Sequence, residues 1–153
     1  MKTNISIRIL LLVMAGFVFS CSPKKSSIPK GFQVEPGFNL TLVASEPLIK
    51  DPVDLDFDED GDALVLEMPG YPLEDAQSRI IMLKDENQDG IYDKQIVFAE
   101  NLQLASSILP YKEGVLVAAP PYLLFVKDTN HDDQADTYDT LMSGFATGNL
   151  QHN

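Results

Sequence analysis

Asp85, Asn87, Asp89 and Asp93 stand at the first, third, fifth and ninth positions of a loop whose sixth residue is Gly90. This spacing lets a tight loop turn alternate side-chain oxygens inward on a calcium ion, which takes six to eight oxygens at about 2.3–2.6 Å. The backbone carbonyl of Ile91 would serve at the seventh position. The twelfth position, where a bidentate glutamate closes a strong site, is Ile96. Such a site would be weak or would borrow an oxygen from elsewhere. A second set, Asp128, Asn130, Asp132 and Asp136, repeats the pattern. There Asp133 replaces the glycine, which makes a sharp turn costlier, and Asp139 could supply the twelfth position. The same residues also suit plain hairpin turns, because Asp and Asn bond their own backbone and tolerate left-handed conformations. Two readings therefore stand together, structural calcium and self-bonded turns. No catalytic group accompanies either loop, and His131 reads as a solvated turn residue.

The loops belong to a longer repeat. Lys84-Asp85-Glu86-Asn87-Gln88-Asp89-Gly90 returns as Lys127-Asp128-Thr129-Asn130-His131-Asp132-Asp133, and the offset from Asp85 to Asp128 is 43 residues. An apolar run precedes each copy, Ile80-Ile81-Met82-Leu83 in the first and Leu123-Leu124-Phe125-Val126 in the second. A period of about 40–50 residues built of short strands is that of a β-propeller blade, four strands in meander order. The expected fold is all-β, a partial propeller of about two blades. Two blades do not close a ring, so the chain reads as a truncated portion of one.

The elements that would carry the loops follow from residue alternation. Residues 38–44 are mostly β-prone and lie between Pro36-Gly37 and Glu46-Pro47, which predicts a strand. Residues 53–58 alternate apolar and acidic, which predicts a strand with one face of each kind. Glu59-Asp60-Gly61-Asp62 is a turn with Gly61 free to take positive φ. Residues 63–68, 79–83 and 94–98 complete the first set. Residues 105–111, 114–118, 122–126 and 137–141 form the second, the last polar enough for an outer strand. Residues 98–109 also have a spacing that suits a short helix ended by Pro110, but the repeat favours strands. Residues 69–78 form an extra loop in the first copy.

The N-terminus reads as a targeting segment. Lys2 and Arg8 precede an apolar stretch over residues 9–19, of signal-peptide length and too short for a stable membrane span. Val18-Phe19-Ser20-Cys21 then reads as a lipobox, similar to the bacterial lipoprotein signal. Cys21 is the candidate lipidation site and would anchor the protein in the bilayer. A lone thiol in an ordinary secretory protein is the competing reading, and an oxidising compartment disfavours it. As the one cysteine, it leaves no disulfide, CxxC zinc site or CxxCH haem attachment within this sequence. Residues 21–36 are polar and proline-broken, a tether. The domain division is thus signal peptide over 1–20, lipid-anchored tether over 21–36 and propeller portion over 37–153. Removing Lys2 and Arg8 takes the net charge from −12 to −14. So acidic a domain argues against a nucleic-acid partner and suits a soluble face in the periplasm.

Several stretches together resemble one family. They are Gly37-Phe38-Asn39-Leu40-Thr41-Leu42-Val43-Ala44-Ser45-Glu46-Pro47-Leu48, Asp51-Pro52-Val53 running to Phe57-Asp58-Glu59-Asp60-Gly61, and Glu67-Met68 followed by Tyr71-Pro72. The acidic repeats and Gly144-Phe145-Ala146-Thr147-Gly148-Asn149-Leu150-Gln151-His152-Asn153 complete the set. This looks like the N-terminal part of the PVC-type membrane-bound dehydrogenases, whose propeller is similar to soluble quinoprotein glucose and sorbosone dehydrogenases. The resemblance implies a six-bladed ring, commonly followed by helical repeats and a cytochrome c domain. It also implies PQQ at the centre, oxidation of sugar or alcohol hydroxyls, and electrons passed through haem c to a cytochrome. By the Gly-Asn-x-Gln-His pattern His152 matches the catalytic base, an imidazole suited to take the hydroxyl proton near neutral pH.

Two departures qualify the resemblance. Pro69-Gly70 stand where the family has a basic residue, and the residues that would hold PQQ and haem are expected beyond Asn153. This chain alone is therefore expected to be inactive, with His152 without function in it. The alternative reading is a non-enzymatic propeller lipoprotein that binds glycans or proteins with calcium-stabilised loops.

Overall fold

The computed structural model describes residues 31–70 and 77–148. Among them there are eight strands and no helix. Strands β1 (Pro52–Phe57), β2 (Ala63–Glu67), β3 (Gln77–Lys84) and β4 (Lys94–Gln103) form one antiparallel sheet in chain order. Strands β5 (Ser107–Tyr111), β6 (Gly114–Ala119), β7 (Tyr122–Lys127) and β8 (Thr137–Ser143) form a second in the same order. The all-β expectation and the two sets of four hold. Residues 98–103 belong to β4 rather than to a helix, because their partners on β3, Ile80 with Ala99 and Ser78 with Leu102, are ladder partners.

Residues 31–41 and 42–148 fall in two compact units. In the first, the Phe38 amide donates to the Glu35 carbonyl at 3.2 Å and closes a turn at Gly37, whose φ of 95° glycine accepts readily. The strand expected over 38–44 is not formed. β-propensity is realised only where a neighbouring strand offers a ladder. Val43 meets a loop instead, its carbonyl accepting the Tyr92 amide at 2.9 Å.

Register sorts the side chains of the second unit. On the first sheet Leu55, Val65 and Ile81 are ladder partners, as are Phe57, Ala63 and Leu83, so these residues share one face. The opposite face carries Leu64, Leu66, Ile80 and Met82. That opposite face forms one buried cluster with Ile108, Val115, Val117 and Val126 of the second sheet. The main core therefore lies between the sheets. By the 43-residue offset Ile81 and Leu83 correspond to Leu124 and Val126, while Ile80 and Met82 correspond to Leu123 and Phe125. The face of the second sheet that meets the first is thus the counterpart of the Val65 face.

Of the two faces expected of β1, the apolar one is the more exposed. Val53, Leu55 and Phe57 are about half exposed, at 46%, 51% and 54%. The acidic side turns inward instead, and the Asp54 carboxylate accepts the Ser107 hydroxyl and the Ile108 amide, each at 2.8 Å. A carboxylate at this edge ties the first strand of one sheet to the first strand of the next.

Candidate functional site

Each acidic loop closes on its own leading aspartate. Asp85 Oδ1 accepts the Asp89 amide at 3.1 Å and Oδ2 the Gly90 amide at 2.7 Å. Asp89 Oδ1 accepts the Ile91 amide at 3.1 Å, and Asp93 accepts the Glu86 amide and the Asn87 side-chain amide. In the second loop Asp128 Oδ1 accepts the His131 amide at 2.7 Å and Oδ2 the Asp133 amide at 2.8 Å. Asn130 and Asp132 accept the Asp132 and Gln134 amides, and Asp136 accepts the Thr129 amide and hydroxyl. The left-handed residues also repeat, Gln88 with His131 and Gly90 with Asp133. Burial would raise the Asp128 pKa, but its backbone hydrogen bonds from Asp133, His131, Asp132 and Asn130 outweigh that and hold it below the ordinary value of 3.8.

The expected calcium ligands are therefore brought into two compact loops, one in each repeat. Their carboxylates are engaged by amide donors, and among the described residues no group of three His, Cys, Asp or Glu is spaced to hold a metal ion. In this arrangement the loops are held by their own backbone. His131 is exposed, as a turn residue would be. Cys21 and His152, the expected lipidation site and base, lie outside the described residues.

Two charged groups that sequence reasoning passed over carry the most geometry. Lys84, at the end of β3, places Nζ 3.1 Å from Asp62 Oδ2 and 3.0 Å from Asp133 Oδ2. Burial would lower its pKa, but hydrogen bonds and charge from Asp133 and Asp62 outweigh that and raise it above 10.5. The clue was Asp133 standing where the first copy has glycine. The second is Glu67, fully buried, with Oε2 2.6 Å from Arg79 Nε and Oε1 2.5 Å from the Lys50 amide. A buried carboxylate needs such full pairing to be tolerated. It fixes the chain entering β1 against the ladder of β2 and β3.

At the loop end of the sheets lies a cleft of about 420 Å³. Leu64, Met82, Phe98 and Val115 line it with apolar surface, and Asp58, Asp60, Asp62, Asp128 and Asp133 line it with acid, against Lys84 and Lys112. Lys84 is already paired. A tricarboxylate such as PQQ does not fit so acidic a cleft, since like charges at short range repel.

The fold and this end of it define an all-β protein of stacked four-stranded sheets with self-capped acidic loops. The chain belongs to the family described as Domain of unknown function (DUF7133), whose model matches residues 22–153. Comparison with curated proteins and with solved structures gives no match.

Proposed function

We propose that this chain supplies two sheets of a β-propeller in a bacterial envelope protein of the quinoprotein-dehydrogenase type. Cys21 would anchor it in the bilayer, and the propeller would face the periplasm. The observation that carries this is the stacking of two equivalent meander sheets in repeat order, with a capped acidic loop at the same place in each. The first sheet buries its Leu64, Leu66, Ile80 and Met82 face against the second, the packing that successive blades of a ring use. The parent reaction would oxidise a sugar or alcohol hydroxyl, with His152 accepting its proton and a cytochrome receiving the electrons. In this reading the described residues serve as scaffold, because the acid-lined cleft between them repels a tricarboxylate.

A second reading is favoured by the acid-lined cleft, namely a propeller lipoprotein that binds a glycan or protein partner without chemistry. One experiment separates the two. The intact gene product is supplied with PQQ and calcium and assayed for dye reduction over a panel of aldoses and sugar alcohols, beside a His152→Ala variant. Turnover lost in the variant supports the dehydrogenase. No turnover, with retention of a glycan on an array, supports the binder.

A further inference from the structure

The cleft at the loop end of the sheets combines an apolar floor with an acidic rim. Leu64, Met82, Phe98 and Val115 supply the floor, and the half-exposed rings of Phe57 and Tyr111 also line it. Seven carboxylates face two ammoniums there. Coulomb attraction favours a cation in such a place, and the floor favours one carried on an apolar stem. A lysine side chain meets both demands, since its stem lies on apolar surface while its head stays at a polar edge. Glycan hydroxyls would lie unpaired on the floor and leave the charge of the rim unanswered.

The chain's own lysines already make the contacts such a ligand would use. Lys84 Nζ sits between Asp62 Oδ2 and Asp133 Oδ2, at 3.1 and 3.0 Å. Lys112 Nζ lies 5.0 Å from the centre of the Tyr111 ring, a cation–π contact. The two lysines take up only part of the rim. Asp58 and Asp128 accept amides of their own turns, whereas Glu59, Asp60 and Glu113 are exposed and outside those pairs. We infer that the cleft is an interaction surface for a lysine-rich segment of a partner protein, one lysine stem lying on the apolar floor with its ammonium at Glu59, Asp60 and Glu113. This rests on the binder reading above and names its partner by charge and shape. It does not depend on the redox chemistry. The cleft meets β6 at Gly114 and Val115, while the chain runs on toward His152 from the other end of that strand, where the Gly144 and Phe145 amides donate to the Pro121 carbonyl.

The test uses the intact gene product and a fluorescein-labelled hexalysine peptide, followed by fluorescence anisotropy at about 0.15 M salt, where long-range attraction is screened. Saturable binding is expected. The combined variant Glu59→Gln, Asp60→Asn and Glu113→Gln should weaken it about tenfold or more. A charge-matched variant outside the cleft, Glu46→Gln, Glu86→Gln and Glu100→Gln, should weaken it less than about threefold. Lys84→Met frees Asp62 and Asp133 and should tighten binding, whereas Lys127→Met, with the same change of charge, should not. Binding weakened alike by both triple variants would keep a protein binder but overturn the cleft as its site. No peptide binding, with a glycan retained on an array, would overturn the lysine-rich partner. No retention of either ligand would overturn the binder reading itself, and the inference with it.

Discussion

Lys84 Nζ on the first sheet lies 3.0 Å from Asp133 Oδ2 on a loop of the second, and Asp133 holds a φ of 65° in that loop. The first loop meets the same backbone demand with Gly90, at φ 83°. A left-handed non-glycine residue costs about 1–2 kcal/mol. Here that cost accompanies an ion pair linking the sheets, with Asp62 as a third member on the first turn.

Asp133→Gly should therefore be nearly neutral, since relief of backbone strain offsets the lost pair. Lys84→Met should lower stability by about 1 kcal/mol in the parent and by less in the Asp133→Gly background. Urea unfolding of the four proteins measures the coupling. A coupling of zero would reduce the pair to an incidental surface contact.

The depressed pKa of Asp128 sets an acid limb. A carboxylate whose folded pKa is lowered contributes stability that is fully present above its ordinary value of 3.8 and is lost as pH falls through the folded value. Asp128→Asn keeps an oxygen acceptor but removes the titration. Below about pH 4 the parent should lose stability more steeply than the variant, with parallel curves above about pH 5. Melting temperatures across that range decide it, and parallel curves throughout would refute the assignment.

Gly114 opens β6 without a left-handed φ, so its requirement is for space. A Cβ there would sit 2.6 Å from the Val126 carbonyl oxygen, 2.7 Å from Phe125 Cε2 and 2.8 Å from Lys127 Cγ. The Phe125 ring can swing, but the carbonyl belongs to the ladder between β6 and β7. Gly114→Ala should destabilise by about 1–3 kcal/mol. Gly148→Ala, with nothing within 4 Å, serves as the neutral comparison in the same thermal melt.

The repeat made the sheets legible, because loops and apolar runs recur together and period-2 alternation marks the strands between them. Other features depended on partners distant in sequence. Residues 38–44 have strand composition, yet they join neither sheet among the described residues. The alternation of β1 gave two faces without saying which would be buried, and Asp54 turned inward because Ser107 and Ile108 supply donors there. Glu67 looked like one more strand residue until Arg79 and the Lys50 amide surrounded it. In each case the outcome was decided by a neighbour outside the local sequence window.

The acidic loops set structural calcium against self-bonded turns. Both oxygens of Asp85 already accept amides, from Asp89 and Gly90, so the turn closes without a cation. Asp85→Ala leaves those two exposed amides to water, which limits the loss to about 1 kcal/mol. If the loop is self-bonded, the parent should melt at the same temperature in EGTA and in millimolar calcium, and Asp85→Ala should melt lower by the same amount in both. A calcium-dependent rise in the parent that disappears in Asp85→Ala would instead make the loop a cation site. Its missing twelfth ligand would then have to come from outside the loop, since a sixth or seventh oxygen is needed to complete calcium's shell. Differential scanning fluorimetry of the two proteins in the two buffers separates these outcomes.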